Sequence, residues 1–236
     1  MLCIAHADLD TAALVAVCAS LLRSDAALEA LGLSGNTSPA TEQQDDVAKH
    51  VSSMLGLNAG LRTLKLAGMR FGNDAAGFLA DALGNNRALT TLDLKSNKIR
   101  AAGAAALADV LADVRAAAPL LRLDLSHNRI GDAQCVNLPP DAPRKLPPSG
   151  DAGAEALALA LRVQGPLEEL DVSHNLIYDR GLEALGHACL SGAALKFLGA
   201  WGNTFGKAAN AALVEQIVDF VVRMGHEGEG EAPTFP

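Results

Sequence analysis

The sequence predicts an α/β chain wound as a curved solenoid segment, a horseshoe arc with an inner parallel β-sheet, outer helices and about six repeats. Three observations carry this expectation. A frame of apolar residues closed by an asparagine recurs along the chain, Ala- and Leu-rich stretches at helical spacing separate its copies, and aromatic residues make up only 3% of the 236 residues. A core so poor in rings must be assembled from Leu, Ala, Val and Ile, which suits many thin, similar layers better than one bulky centre.

The frame is clearest at Leu89, Leu92, Leu94, Asn97 and Ile99. It returns at Leu120, Leu123, Leu125, Asn128 and Ile130, and again at Leu167, Leu170, Val172, Asn175 and Ile177. These three make looser copies readable. Leu61, Leu64 and Leu66 are followed by Met69 where asparagine belongs and by Phe71; Leu195, Leu198, Ala200, Asn203 and Phe205 form another; Leu28, Leu31, Leu33 and Asn36 begin a sixth. Successive starts lie 33, 28, 31, 47 and 28 residues apart, so the base period is 28. Alternate leucines send their side chains to one side of a short strand, and the asparagine side chain bonds backbone groups where the chain turns away from it. Ala101 to Val114 and Asp151 to Arg162 read as the helices that follow, with Gly103 and Gly153 near their starts. Strands stack about 4.8 Å apart while helices need more width, so the stack bends with the sheet inside.

The ends and one interval depart from the frame. Thr11 to Arg23 reads as a helix with no repeat strand before it, so residues 1–23 are expected to cap the first layer, although the helix equally fits the remnant of an earlier repeat. The repeats occupy 24–209, a helix from Asn210 to Met224 caps the other end, and 225–236 form a small, acidic tail expected to be disordered. The long interval holds Pro139, Pro140, Pro143, Pro147 and Pro148, so 132–149 is expected to leave the solenoid as an insertion. Its simple reading is a tolerated surface loop. Its functional reading is a docking arm in polyproline conformation with Arg144 and Lys145 as charged handles.

Charge and motifs narrow the function. A formal net charge of −8 argues against a phosphate backbone as the primary ligand. No window is long and apolar enough to span a bilayer, and Asp8 and Asp10 stand where a secretory leader would carry basic residues. Cys3, Cys18, Cys135 and Cys189 are irregularly spaced, which fits reduced thiols in a cytoplasmic protein. The stretch Gly202 to Ala208 has the wrong glycine spacing for a phosphate loop, and no hydrolase, zinc-protease or kinase motif occurs. Neither enzymatic activity nor a cofactor is expected.

On the inner face, residues between the core leucines should form columns. One reads Lys65, Asp93, Asp124, Asp171, Gly199, and its neighbour reads Thr63, Thr91, Arg122, Glu169, Phe197. The three aspartates would stand on adjacent strands, with Lys95 and Arg122 tempering their repulsion, as a strip suited to a basic partner surface. The plainer reading is that aspartate is an ordinary choice at this repeat position. His127 and His174 occupy one repeat position, and with Asp124 and Asp171 nearby they invite a metal, but two imidazoles lack a third preorganised ligand. The sole tryptophan, Trp201, follows the last strand near Phe197, as a binding anchor or as core under the final cap.

The period of 28 and the run LDLSHNRIG from Leu123 to Gly131, followed by an Ala- and Leu-rich helix, resemble leucine-rich repeats of the ribonuclease-inhibitor type over roughly residues 24–223. That subfamily includes ribonuclease inhibitor, Ran GTPase-activating proteins, innate-immunity sensor domains and several ciliary or cytoskeletal proteins. The resemblance implies a scaffold that binds another protein on its concave sheet. It also carries the alternatives of a small-GTPase activator or an inhibitor, but this chain is shorter and poorer in cysteine than the inhibitor and shows no motif onto which an activator's catalytic residues transfer.

Overall fold

The structure, a computed structural model, describes residues 1–22, 28–36, 41–113, 119–131, 151–163, 165–191 and 194–204. The short strands β1 (Leu2–Cys3), β2 (Ala30–Gly32), β3 (Thr63–Lys65), β4 (Thr91–Asp93), β5 (Arg122–Asp124), β6 (Glu169–Asp171) and β7 (Phe197–Gly199) form one parallel sheet in chain order. The helices α1 (Thr11–Leu22), α2 (Thr41–Leu57), α3 (Asn73–Asn85), α4 (Ala101–Ala112), α5 (Ala152–Leu161) and α6 (Asp179–Leu190) alternate with them. Each consecutive pair of helices packs side by side behind the sheet. The result is an α/β curved repeat solenoid.

The frame accounts for the core. Leu64, Leu92, Leu123 and Leu170 are paired in register across β3 to β6, and all four are fully buried. The next inward layer, Leu66, Leu94, Leu125 and Val172, and the turn layer, Phe71, Ile99, Ile130 and Ile177, are buried as completely. Removing such aliphatic area from water at about 25 cal/mol per Å² is what lets layers without aromatic bulk cohere. Because each layer contacts only its neighbours, the sheet's register carries one repeat position into a straight column.

Polar groups at the turn follow the same repeat. Asn128 donates from Nδ2 to the carbonyls of Leu94 (2.9 Å) and Leu125 (2.9 Å), while its Oδ1 accepts the N–H of Ile99 (3.0 Å). Asn97 bridges Leu66 and Leu94 in the same way, and Asn203 bridges Val172 and Ala200. Each asparagine therefore ties its own turn to the one before it. At Met69 the ladder is interrupted by a fully buried thioether side chain.

A second device joins the helices. Asn73, at the start of α3, accepts the N–H groups of Arg100 (2.9 Å) and Gly103 (3.1 Å), and Asp151 accepts that of Tyr178 (2.7 Å). A side chain in one unit thus satisfies the open amide groups at the start of the next helix. The glycines Gly103, Gly153 and Gly181 sit at this junction because a Cβ at any of them would meet the isoleucine methyl of its own turn at 2.7–2.9 Å.

The N-terminus differs from the expectation that no repeat strand precedes the first helix. A strand, β1, precedes α1 and pairs with β2, Leu2 opposite Leu31 and Cys3 opposite Gly32. The first unit has no asparagine of its own. Its turn is held from the second unit, where Asn36 donates to the Ile4 carbonyl (2.8 Å) and accepts from Ala7 and Leu9. The motif is split between two units, so a frame search starting at Leu28 does not reach it. β5 and β6 are neighbours in full register across the long interval. The proline-rich insertion, the predicted helix 210–224 and the acidic tail lie outside the described residues.

Candidate functional site

The parallel register puts the predicted columns side by side. Lys65, Asp93, Asp124, Asp171 and Gly199 are successive partners, as are Thr63, Thr91, Arg122, Glu169 and Phe197. Within the second column, Arg122 Nε lies 2.9 Å from Glu169 Oε1, with the carboxylate mostly covered and the guanidinium half exposed. Arg122 is thus spent on its own column's glutamate, and the charge facing Asp124 is that of Lys95.

The aspartates also work within the fold. Asp93 Oδ1 accepts the Lys95 amide (2.9 Å), Asp124 Oδ1 that of Ser126 (2.8 Å), and Asp171 Oδ1 that of Ser173 (2.8 Å). In each, an aspartate bonds the backbone two residues on and turns the chain out of its strand. Asp124 is only 6% exposed. Burial raises the Asp93 and Asp124 carboxyls above their ordinary value; the turn amides oppose this, and the neighbouring aspartate in the column adds to it.

A carboxyl whose folded pKa exceeds its unfolded value makes the folded state hold its proton more tightly, so its contribution to stability falls as pH rises from about 3.8 through the raised value. Asp124→Asn keeps the turn acceptor and removes the charge. Urea midpoints measured from pH 4 to pH 7 should therefore show the variant gaining on the wild type as pH rises; a constant difference would contradict the buried-charge account. Asp124→Lys or Asp171→Lys would, unlike asparagine, delete the turn bond to Ser126 or Ser173.

The residue before each ladder asparagine, and before Met69 in its place, is left-handed throughout, with φ of 74° at Gly35, 67° at Gly68, 56° at Ser96, 55° at His127, 54° at His174 and 70° at Gly202. This conformation brings the imidazoles of His127 and His174 into a stack, with ring centroids 4.3 Å apart and planes inclined by 22°. Trp201 meets His174 edge-on, at 4.2 Å and 76°. Desolvation on this stack, then the nearby His174 and Lys95, lower the His127 pKa from its ordinary 6.5. Among the described residues no group of three or more His, Cys, Asp or Glu is placed to hold a metal ion. The sequence shows two histidines at one repeat position; it does not show the tryptophan joining them, because Trp201 stands one position earlier in its own frame.

Burial raises the thiols of Cys18 and Cys189 to about 11, which leaves them protonated and unreactive near neutrality.

Comparison with known proteins agrees with this geometry. A family model described as Leucine Rich repeat matches residues 85–108, 117–133 and 166–186, the segments that contain the three strictest copies of the frame. The three matched segments are similar to leucine-rich repeats. Leucine-rich-repeat architecture of comparable extent occurs in a solved structure of leiomodin-1 actin-binding site 2, which is 13% identical with a TM-score of 0.50 and covers 89% of this chain and 88% of that one. A tropomodulin C-terminal domain from Caenorhabditis elegans is 10% identical with a TM-score of 0.46, covering 90% of this chain and 96% of that one. A comparison with curated protein sequences finds no match. No described helix is long and apolar enough to cross a membrane.

Proposed function

We propose that this leucine-rich-repeat chain is a non-enzymatic scaffold that holds one protein partner on its concave sheet. The observation that carries the proposal is Trp201: it is 65% exposed, yet its ring is held against His174 at the end of an ordered stack. An exposed aromatic side chain already fixed in place loses little freedom on binding, which is the property of a binding anchor. On the strand that precedes it, Phe197 stands in register with Glu169, and together with the Arg122–Glu169 pair it supplies an apolar and a charged contact. Lys65, Asp93, Lys95, Asp124 and Asp171 complete the face in this reading. Of the aspartates, the partly open Asp93 and Asp171 are the ones that face a basic partner surface, and the nearly covered Asp124 adds its charge from beneath.

A ribonuclease-inhibitor-type subfamily and a cytoplasmic location belong to the same proposal and rest on the repeat period and the cysteine pattern. The alternative of a small-GTPase regulator gains nothing from the comparisons. Because the leiomodin-1 domain is titled an actin-binding site, actin is the first purified partner to try.

The test is capture of partners from cytosol, together with co-sedimentation with actin filaments, using wild type, Trp201→Ala and Phe197→Ala. Trp201→Ala is expected to weaken retention of the wild-type partner about tenfold or more, as a binding hot spot does, with an unchanged unfolding midpoint. Equal retention by both variants would remove the concave face from consideration.

A further inference from the structure

A second surface lies along the edge where the strands turn into the helices. The three consecutive turns 67–72, 95–100 and 126–131 contain Arg70, Lys95, Lys98, Arg100 and Arg129 and not one acidic residue, in a chain where 27 acidic residues outnumber 19 basic ones. Backbone bonds put these turns in register: the Lys98 amide donates to the Phe71 carbonyl (2.8 Å), the Arg129 amide to the Ile99 carbonyl (2.8 Å), and Arg100 and Arg129 form an isolated parallel bridge. Arg70, Lys98 and Arg129 occupy one repeat position and are all exposed. None of the three has an ion pair among the described residues.

At the same position in the next unit the charge gives way to Leu176, 48% exposed, with Tyr178, also 48% exposed, two residues on. Leu176 has a φ of 59°, a conformation bulky residues seldom adopt, and about half of its surface stays open to solvent. The edge is therefore bipartite, a run of three exposed cations ending in a half-exposed apolar pair.

We infer that this edge binds an extended acidic segment of a partner protein, with a bulky apolar residue following the acidic run. At the strand spacing of about 4.8 Å, the path from Arg70 to Leu176 is about 15 Å, which about five extended residues cover. Charge complementarity selects acidic side chains for the first part. The apolar pair selects the residue beyond them, and sets this ligand apart from a uniformly charged polymer. The chain's net negative charge does not oppose such binding at a distance, because physiological salt screens charges beyond about 8 Å. The inference does not use the concave face: Trp201 and Phe197 stand at other repeat positions than Arg70, Lys98, Arg129 and Leu176.

The test uses the full chain and a fluorescein-labelled peptide of four glutamates followed by leucine and phenylalanine, with fluorescence anisotropy as readout. Lys98→Glu with Arg129→Glu is expected to weaken binding at least tenfold, and Leu176→Asn about threefold. Asparagine accepts the left-handed conformation, so Leu176→Asn leaves the fold undisturbed. Trp201→Ala is expected to leave peptide binding unchanged even where it abolishes capture of the concave-face partner. Absence of peptide binding, or equal binding by the charge-reversed variant, would overturn the inference. Preferential binding of oligothymidine or of phosphatidylserine vesicles through the same residues would overturn it in favour of a phosphate-reading surface.

Discussion

Replacing Asn128 with alanine is expected to lower the unfolding midpoint by roughly 5–12 °C, on the usual scale of about 2–4 °C per kcal/mol for a chain of this size. Asn128 is 5% exposed, and its amide group is bonded on both sides. Alanine deletes the donors to the Leu94 and Leu125 carbonyls and the acceptor for the Ile99 amide, and no water can replace them without opening the turn. Leaving buried backbone groups unpaired costs about 1–3 kcal/mol each, reduced where the turn relaxes, so a total near 2–4 kcal/mol is expected. Asn128→Asp should be at least as damaging, since a carboxylate keeps the acceptor but faces two carbonyl oxygens. Calorimetry gives the midpoint, and hydrogen exchange should show the Ile99 amide among those most accelerated. A midpoint within 1 °C of wild type would mean that the ladder is ornamental and that apolar layering alone holds the turns.

Gly153→Val is expected to cost about 2–4 kcal/mol, from overpacking at the seam between α4 and α5. A Cβ at Gly153 would lie 2.8 Å from Ala101 Cα, 2.8 Å from the Ile130 Cγ2 methyl and 3.2 Å from Ala104 Cβ. Backbone cannot rotate out of the way as a side-chain end can, so the two helices must separate, and valine's further methyls widen the gap. Gly77, in the middle of α3, is the control: a Cβ there meets nothing within 4 Å. Gly77→Ala should stabilise by about 0.5–1 kcal/mol through helix propensity alone. If Gly153→Val unfolds at the wild-type urea concentration, the helices are not in the close contact described here.

Of the candidate site, the columns were legible and their chemistry was only partly so. Asp93, Asp124 and Asp171 are neighbours because the register is regular, and a repeat frame contains the register. The frame does not say that each carboxylate binds the amide two residues on, or that Asp124 is buried, so a strip that reads as surface charge is also turn chemistry. Arg122 was expected to face the aspartates and instead pairs with Glu169, because side chains at one repeat position meet directly across adjacent strands. The basic edge escaped notice for the opposite reason. Arg70, Lys98 and Arg129 lie 28 and 31 residues apart in an acidic chain, and their clustering emerges only when the turns are stacked.

By itself the sequence determined the fold, because a one-dimensional stack needs only a repeated choice of inward leucine, turn asparagine and helix-forming alanine, each read locally. It even contained the glycines of the helix seam. Only the tertiary structure decided what depends on two units at once: the strand β1 whose turn is held by Asn36, the helix starts capped by Asn73 and Asp151 from the unit before, the His127–His174–Trp201 stack, and the gathering of exposed cations on one edge. The physical reason is common to all four: hydrogen bonds, ring contacts and charge density act over a few ångströms, and residues about 28 positions apart come that close only after the layers have packed.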